Sequence, residues 1–125
     1  ECDGLVFCER SVQSSVVFAE VSKDLYGHVC DKEIDVLLSL CDRLSDTIMS
    51  YCKEPVMSVY LWCPTPVALN RIKGRNRDGE NSIEADYLIA LDRGFRKTCK
   101  FDIDLCTDGV TPDEVAVQLI NAVYN

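Results

Sequence analysis

The sequence predicts an α/β fold built on a parallel sheet. Three short apolar runs, each the length of a strand, are separated by segments in which apolar residues recur at helical spacing. No hairpin turn joins any two of these runs, so each strand has to reach the next through a helical crossover. Strands that alternate with helices in this order are typical of a parallel sheet that is covered by helices.

The first part of the chain predicts one strand and two helices. The run GLVFC at 4–8 is continuously apolar, which indicates a strand buried on both faces. A helix follows and ends near Gly27, and its apolar stripe consists of Val12, Val16, Ala19 and Leu25. Asp31 is the predicted N-cap of a second helix over 32–52. The wide apolar stripe of that helix consists of Ile34, Leu37, Leu38, Cys41, Leu44, Ile48 and Cys52.

The middle of the chain predicts a strand followed by two helices. VMSVYLW at 56–62 is a second apolar run of strand length. Thr65 and Pro66 predict a helix start, because a hydroxyl can cap free amides and proline is tolerated at the first helical position. Ser82 is the predicted cap of a further helix over 83–97. The apolar side of that helix consists of Ile83, Tyr87, Leu88, Leu91 and Phe95.

The last part of the chain predicts a third strand and a final helix. In KFDIDL at 100–105, apolar residues alternate with two aspartates, as in a strand with one buried face. Thr111 and Pro112 repeat the Thr-Pro helix start. The docking face of this helix is predicted to consist of Val115, Leu119 and Val123. At 125 residues, the chain has the length of one domain.

Composition excludes two classes of function. Thirteen Lys and Arg residues against 21 Asp and Glu residues give a formal net charge of −8. Such an acidic balance argues against binding to nucleic acid or to an anionic membrane surface. No apolar run approaches the roughly 18 residues that a membrane-spanning helix needs. We therefore expect neither nucleic acid nor a membrane as a partner.

Eight cysteines could indicate disulfides, but their setting favours free thiols. They are spread over long periodic segments, whereas small disulfide-stapled domains are rich in loops. No C-x-x-C pair is present, and the single His28 is not placed for a zinc site. We expect reduced, mostly buried thiols in a cytoplasmic protein.

The segment RIKGRNRDGE at 71–80 concentrates positive charge in an acidic chain. Four of the 13 basic residues fall within seven positions, namely Arg71, Lys73, Arg75 and Arg77. A solvated basic patch is the simplest interpretation, but no acidic residue between positions 55 and 77 is available to pair locally. Gly74 and Gly79 give the backbone freedom to close over a ligand. An arginine-bearing flap suits phosphoryl transfer, where charge neutralisation does most of the catalysis.

A second charged pair follows the first predicted strand. Ligands of open parallel sheets bind beyond the carboxyl ends of the strands, and Glu9 and Arg10 lie at such an end. An acid there can hold a metal ion or a hydroxyl, and a base can hold an anion. A surface ion pair is the alternative.

Together these segments resemble the deoxynucleoside kinase family, including the related cellular and viral thymidine kinases. The resemblance is carried by VFCERSVQSSVVFAE at 6–20, VYLWCPTPVALNRIKGRNRDGENSIEADYLIAL at 59–91 and FDIDLCTDGVTPDEV at 101–115. The middle block is the most specific, since its arginines, the following glutamate and the Tyr-Leu pair match the family's lid motif without a gap. The resemblance implies a P-loop kinase-type, three-layer α/β/α fold with a parallel sheet. It also implies transfer of the γ-phosphate of ATP, with Mg²⁺, to the 5′-hydroxyl of a deoxynucleoside.

The resemblance also implies roles for individual residues. Glu9 corresponds to the glutamate that helps to hold Mg²⁺ near the transferring phosphate. Arg10 corresponds to the arginine that contacts the 5′ oxygen and the phosphate. Arg71 and Arg75 correspond to the pair that flanks the donor adenine, and Arg75 with Arg77 to the pair that neutralises the donor phosphates.

The remaining implied roles concern the acceptor and the donor base. Glu80 corresponds to the acceptor of a hydrogen bond from the sugar 3′-hydroxyl. Thr107 and Asp108 lie in the loop where the family senses the donor base, although CTDG at 106–109 is a weak match. Ser15 stands where thymidine-preferring relatives carry a small residue and others an aspartate, so we expect thymidine or another pyrimidine as the substrate. The helices at 11–29 and 32–52 correspond to a region that the family often uses to form homodimers.

One element of the family is missing from these residues. The sequence contains no G-x-x-x-x-G-K-[ST], the loop that cradles phosphates in P-loop kinases. We therefore expect residues 1–125 to be the C-terminal part of a single kinase domain that is truncated at its N-terminal side. In the family, the P-loop strand lies between the first two strands predicted here, and its loss would leave unpaired strand edges. Residues 1–125 alone are therefore expected to have no kinase activity.

Two alternative functions remain open from the sequence. One is a nucleoside monophosphate kinase such as a thymidylate kinase, which the lid match and the Glu-Arg-Ser motif at 9–11 disfavour. The other is a non-catalytic remnant that serves as a dimerisation or binding module.

Overall fold

The computed structural model describes residues 7–52 and 56–124, which form two compact units, Glu1–Lys53 and Glu54–Asn125. In chain order, the elements of the first unit are α1 (Gln13–Tyr26) and α2 (Asp31–Tyr51). Those of the second unit are β1 (Val59–Trp62), α3 (Thr65–Arg75), α4 (Ala85–Thr98), β2 (Ile103–Cys106) and α5 (Pro112–Tyr124). Each unit is described by itself below.

The first unit is a pair of helices joined by a short turn. Its buried core consists of Val16, Val17, Val21, Ile34 and Cys41. α1 ends where predicted, at Gly27, whose positive φ of 65° lets its amide hydrogen-bond the carbonyl of Lys23. Across the two helices, Gln13 donates a 3.1 Å hydrogen bond to Ser45, and Lys23 pairs with Asp31. Polar contacts thus fix both ends of the helix pair.

The predicted apolar stripes of the first unit are only partly buried. In α2, Ile34 and Cys41 are buried as expected, but Leu44 and Ile48 are about half exposed at 47% and 50%. In α1, the prediction for Leu25 was wrong, since this side chain is 42% exposed. The buried face of α1 includes Val17 and Val21 instead. Two packed helices can cover only a narrow stripe of each other, so the whole predicted stripe is not buried.

The second unit is built on a parallel strand pair, which confirms the parallel α/β prediction within the described residues. β1 and β2 run in the same direction, in a register that sets Val59 opposite Ile103 and Trp62 opposite Cys106. The crossover between them contains α3 and α4, which pack against each other. The strand predicted at 4–8 lies mostly outside the described residues, and its last two residues, Phe7 and Cys8, are not in a strand.

Aspartates and aromatic rings tie α4 to one face of this pair. Tyr60 stacks on Phe101 with ring centroids 4.6 Å apart, and its hydroxyl donates a 2.9 Å hydrogen bond to Asp92. Burial, with the Asp92 contact as the next cause, raises the pKa of Tyr60 above its ordinary value. The guanidinium of Arg96 lies 5.1 Å from the ring centroids of both Tyr60 and Trp62, and it bonds both Asp92 and Asp104. One arginine therefore joins α4 to both strands.

Three predicted helix starts differ from the structure for the same reason. The cap of α2 is Cys30, because the carboxylate of Glu33 accepts a 2.8 Å hydrogen bond from the Cys30 amide. Pro64, not Thr65, precedes α3, since its carbonyl accepts the first helical bond from Ala68. α4 begins after Glu84 rather than at Ser82. In each case the boundary lies at the residue whose carbonyl accepts the first helical hydrogen bond, which comes from Ile34 in α2, Ala68 in α3 and Leu88 in α4.

The start of α5 agrees with the sequence. Pro112 is its first residue, and Thr111 forms a reciprocal cap with Glu114 through hydrogen bonds of 2.8 and 3.3 Å. Donation from the Thr111 amide, then from its hydroxyl, lowers the pKa of Glu114. The predicted docking face is half-buried at each of its positions, Val115, Leu119 and Val123.

The expectation of mostly buried thiols was wrong. All seven described cysteines are free. Cys41 alone is buried, while Cys8, Cys30 and Cys52 are exposed.

Among the described residues, no helix is both long and apolar enough to cross a bilayer.

We expect Arg96→Ala to lower the free energy of unfolding, because it removes two ion pairs and two cation–π contacts at a partly exposed site. Arg96→Lys should lower the free energy of unfolding by less, since the lysine ammonium keeps a positive charge near the two aspartates. Urea denaturation of the full-length protein measures both. Arg93→Ala, at an exposed position of the same helix, is the control and should change stability by less than about 0.5 kcal/mol. A loss as large in the control would contradict the role given to Arg96.

Candidate functional site

The carboxyl ends of β1 and β2 are joined by hydrogen bonds to the carbonyl of Trp62. The amide of Thr107, the first residue after β2, donates to this oxygen at 2.7 Å. The Thr107 hydroxyl donates to the same oxygen at 3.1 Å. Thr107 is therefore held at the strand ends, where open parallel sheets bind their ligands.

Arg71 is anchored to this same residue. From α3, its Nη1 donates a 2.9 Å hydrogen bond to the Thr107 hydroxyl, and its Nη2 donates a 2.7 Å bond to the Thr107 carbonyl. Two residues that the sequence assigned to donor binding are thus in direct contact. Because both partners are neutral, the contact orients the guanidinium without cancelling its charge. With one edge of the group engaged, its flat face remains available for a ring.

A depression of about 490 Å³ lies beside Arg71. Its lining consists of Cys63, Ala68, Arg71, Ile72, Gly74 and Arg75. One face of α3 supplies all of these except Cys63, which follows β1 directly. The lining is mostly apolar, and two of its six residues are arginines. A flat, partly apolar ring with an attached anion suits such a surface.

The lid, residues 71–80, contains a second close pair that the sequence did not predict. Arg75 and Glu80 form an ion pair in which Nη2 lies 3.4 Å from Oε1 and 3.3 Å from Oε2. Between them the chain turns sharply, with positive φ at Asn76 (46°) and Gly79 (84°). The stretch from 55 to 77 contains no acidic residue, but the turn brings Glu80, three residues beyond it, back to Arg75.

Two other predicted site residues of the second unit are exposed to solvent. Arg77 and Asp108 are both exposed. Arg77 lies within the turn, between Asn76 and Gly79, and Asp108 follows Thr107 in the loop after β2. Both are accessible to a charged ligand.

The first unit carries the remaining predicted residues. Glu9, Arg10 and Ser15 are all exposed, and the guanidinium of Arg10 lies 4.9 Å from the ring centroid of Phe18. Arg10 has a positive φ of 73°, which is uncommon for a residue with a side chain. Strained backbone of this kind clusters at functional sites.

The structure allows a limited test of the metal assignment. Among the described residues, no three His, Cys, Asp or Glu side chains form a group that could hold a metal ion. A magnesium ion that is bound through nucleotide phosphates needs only one or two protein carboxylates. The single exposed carboxylate of Glu9 fits that requirement.

Comparison with known proteins gives one match. The sequence model of a protein family described as "Deoxynucleoside kinase" matches residues 1–119. This span includes every predicted site residue, from Glu9 to Asp108. No curated protein and no solved structure matches the chain.

We expect Arg10→Gly to be more stable than Arg10→Ala by about 0.5–1 kcal/mol, because glycine alone adopts a positive φ without strain. Both variants lose the contact with Phe18, so the difference isolates the backbone. Denaturation of the two variants in urea measures it. At Glu9, where φ is not positive, the order should reverse. If Arg10→Ala were as stable as Arg10→Gly, the backbone at position 10 would not be strained.

Proposed function

The chain belongs to the deoxynucleoside kinase family, and from this premise we propose that it serves the transfer of the ATP γ-phosphate to the 5′-hydroxyl of a deoxynucleoside, thymidine or another pyrimidine. The family consists of kinase-type phosphotransferases that use ATP as phosphate donor, typically with Mg²⁺. The observation that carries the proposal is the contact of Arg71 with Thr107, because it supports a donor site at the strand ends.

In the proposed donor site, the base lies in the depression beside α3. Arg71 and Arg75 line this depression, in agreement with the roles implied for them at the adenine ring. Thr107 orients Arg71, and the next residue, Asp108, is exposed in the same loop. Arg75 and Arg77 extend towards the phosphates, where their guanidinium groups neutralise charge that builds up during transfer.

Four residues are proposed to act on the acceptor, one in the second unit and three in the first. Glu80 accepts a hydrogen bond from the 3′-hydroxyl of the sugar, and Ser15 leaves room for a pyrimidine. Arg10 binds the 5′ oxygen and orients the incoming phosphate. Glu9 supplies a carboxylate for Mg²⁺, which when bound offsets negative charge on the phosphates. The loop that cradles phosphates in P-loop kinases is absent from these 125 residues, so we assign them the C-terminal part of a kinase domain that is inactive without the rest.

The assembly and location are also proposals. The exposed apolar side chains of α2, which include Leu40, Leu44 and Ile48, support a homodimer formed through the first unit. Free thiols at all seven described cysteines support a cytoplasmic location.

We expect Glu80→Ala in the full-length enzyme to lower kcat/KM for thymidine by about tenfold, the order expected when one hydrogen bond to a half-buried carboxylate is lost. Steady-state phosphorylation assays measure this. Asp78→Ala, an exposed acid in the same turn, is the matched control and should keep the original kinetics. Unchanged kinetics in Glu80→Ala would contradict the assignment of Glu80 to the sugar.

We expect Thr107→Val to raise the KM for ATP by about three- to tenfold with little change in kcat, because Arg71 loses one of its two anchoring hydrogen bonds. Thr107→Ser keeps the hydroxyl and should restore the original KM. Initial rates at varied ATP concentration distinguish the two variants. Equal losses in both would mean that the hydroxyl does not position Arg71.

A further inference from the structure

The Arg75–Glu80 ion pair of the lid is loose. Charge-assisted hydrogen bonds between nitrogen and oxygen are usually 2.7–2.9 Å long, whereas Arg75 Nη2 lies 3.3 and 3.4 Å from the two oxygens of Glu80. The Arg75 side chain is 49% exposed. An incoming anion can therefore reach the guanidinium and compete for it.

Glu80 is less exposed to solvent than Arg75, and one of its oxygens lacks a hydrogen bond from the described residues. Its side chain is only 23% exposed, and Oε2 is a buried atom that accepts no hydrogen bond from the described residues. The backbone holds it there, since the Glu80 amide bonds the carbonyl of Arg77 at 3.2 Å and the Glu80 carbonyl accepts from Ile83 at 3.1 Å. A buried carboxylate oxygen without a donor is stabilised when a hydroxyl reaches it.

The two members of the pair have different partners in the proposed reaction. Arg75 is required at the donor phosphates, and Glu80 is required at the 3′-hydroxyl of the acceptor. The same nitrogen of Arg75, Nη2, lies within 3.4 Å of both oxygens of Glu80, so a phosphate that binds this nitrogen and a hydroxyl that binds Glu80 compete for one contact. Both ligands therefore need the same ion pair to open.

We propose that the Arg75–Glu80 pair is a latch that couples donor binding to acceptor binding. The triphosphate draws Arg75 away, and the released carboxylate of Glu80 then accepts the sugar hydroxyl. Since coupling between two sites is reciprocal, a bound deoxynucleoside should in turn favour the triphosphate. This proposal rests on the proposed function and adds to it that each substrate prepares the lid for the other.

The coupling can be measured in the full-length protein by isothermal titration calorimetry. Thymidine is titrated with and without a saturating amount of the Mg²⁺ complex of the non-hydrolysable analogue AMP-PNP. We expect the analogue to tighten thymidine binding by about two- to fivefold, a modest change because a partly exposed ion pair is weak. With 3′-deoxythymidine, which lacks the hydroxyl for Glu80, the analogue should have no such effect.

Variants separate the latch from simple loss of contacts. In Arg75→Gln the latch is already open, so thymidine alone should bind about two- to fivefold more tightly than to the original protein. The analogue should then add little. Lys73→Gln removes a positive charge from the same helix without touching Glu80, so it should keep the original coupling. A gain in affinity on removal of an arginine is not expected from damage to the fold.

The outcomes distinguish failure of the latch from failure of the contact between Glu80 and the sugar. If Glu80→Gln weakens thymidine binding but Arg75→Gln leaves it unchanged or weaker, the sugar contact stands and the latch is overturned. If Glu80→Gln affects thymidine and 3′-deoxythymidine equally, the sugar contact itself is wrong and the latch is overturned with it. Tighter binding to Arg75→Gln, restricted to nucleosides with a 3′-hydroxyl, supports the latch.

Discussion

The parallel pairing of β1 with β2 is the constraint on which the candidate donor site depends. The register that sets Trp62 opposite Cys106 brings the next residue, Thr107, within reach of the Trp62 carbonyl. Only a residue fixed at that point can offer both a hydroxyl and a carbonyl to Arg71. A slip of one residue would turn the side chain at position 107 to the opposite face of the sheet. The position of the first lid arginine is therefore a consequence of strand pairing between segments that are far apart in sequence.

The second unit holds this pairing together with few buried side chains. Every fully buried side chain among the described residues belongs to α1 or α2. Around β1 and β2, half-buried aromatic rings and the shared contacts of Arg96 replace a deep core. Such contacts are individually weak, and two strands alone form a marginal sheet. This fits the proposal that these residues are the C-terminal part of a larger kinase domain, in which further strands would complete the sheet.

The sequence predicted the type and order of the described elements because their signals are local. Apolar periodicity marks each helix, and the pair Thr111-Pro112 marks the start of α5, which the structure places at Pro112. It could not predict contacts that depend on how the chain returns on itself. The pairing of Arg75 with Glu80 needs the turn at Asn76 and Gly79, and the anchoring of Arg71 needs the strand register. The prediction that most thiols are buried was wrong for a similar reason. Periodicity indicates an apolar stripe on a helix, but it does not indicate whether another element covers that stripe.

The three lid arginines differ in the contacts that hold them, and in the proposed donor site this difference gives each of them a separate role. Arg71 is bound by neutral groups, so its orientation is set while its charge remains effective. The charge of Arg75 is offset by Glu80 until a stronger anion competes for it. Arg77 is exposed, so its guanidinium is accessible to a triphosphate. A triphosphate that met three uncommitted arginines would bind tightly but would gain nothing from the acceptor. In the proposed latch, with one arginine anchored and one exchangeable, part of the binding energy of the triphosphate depends on whether Glu80 accepts a hydroxyl from the second substrate.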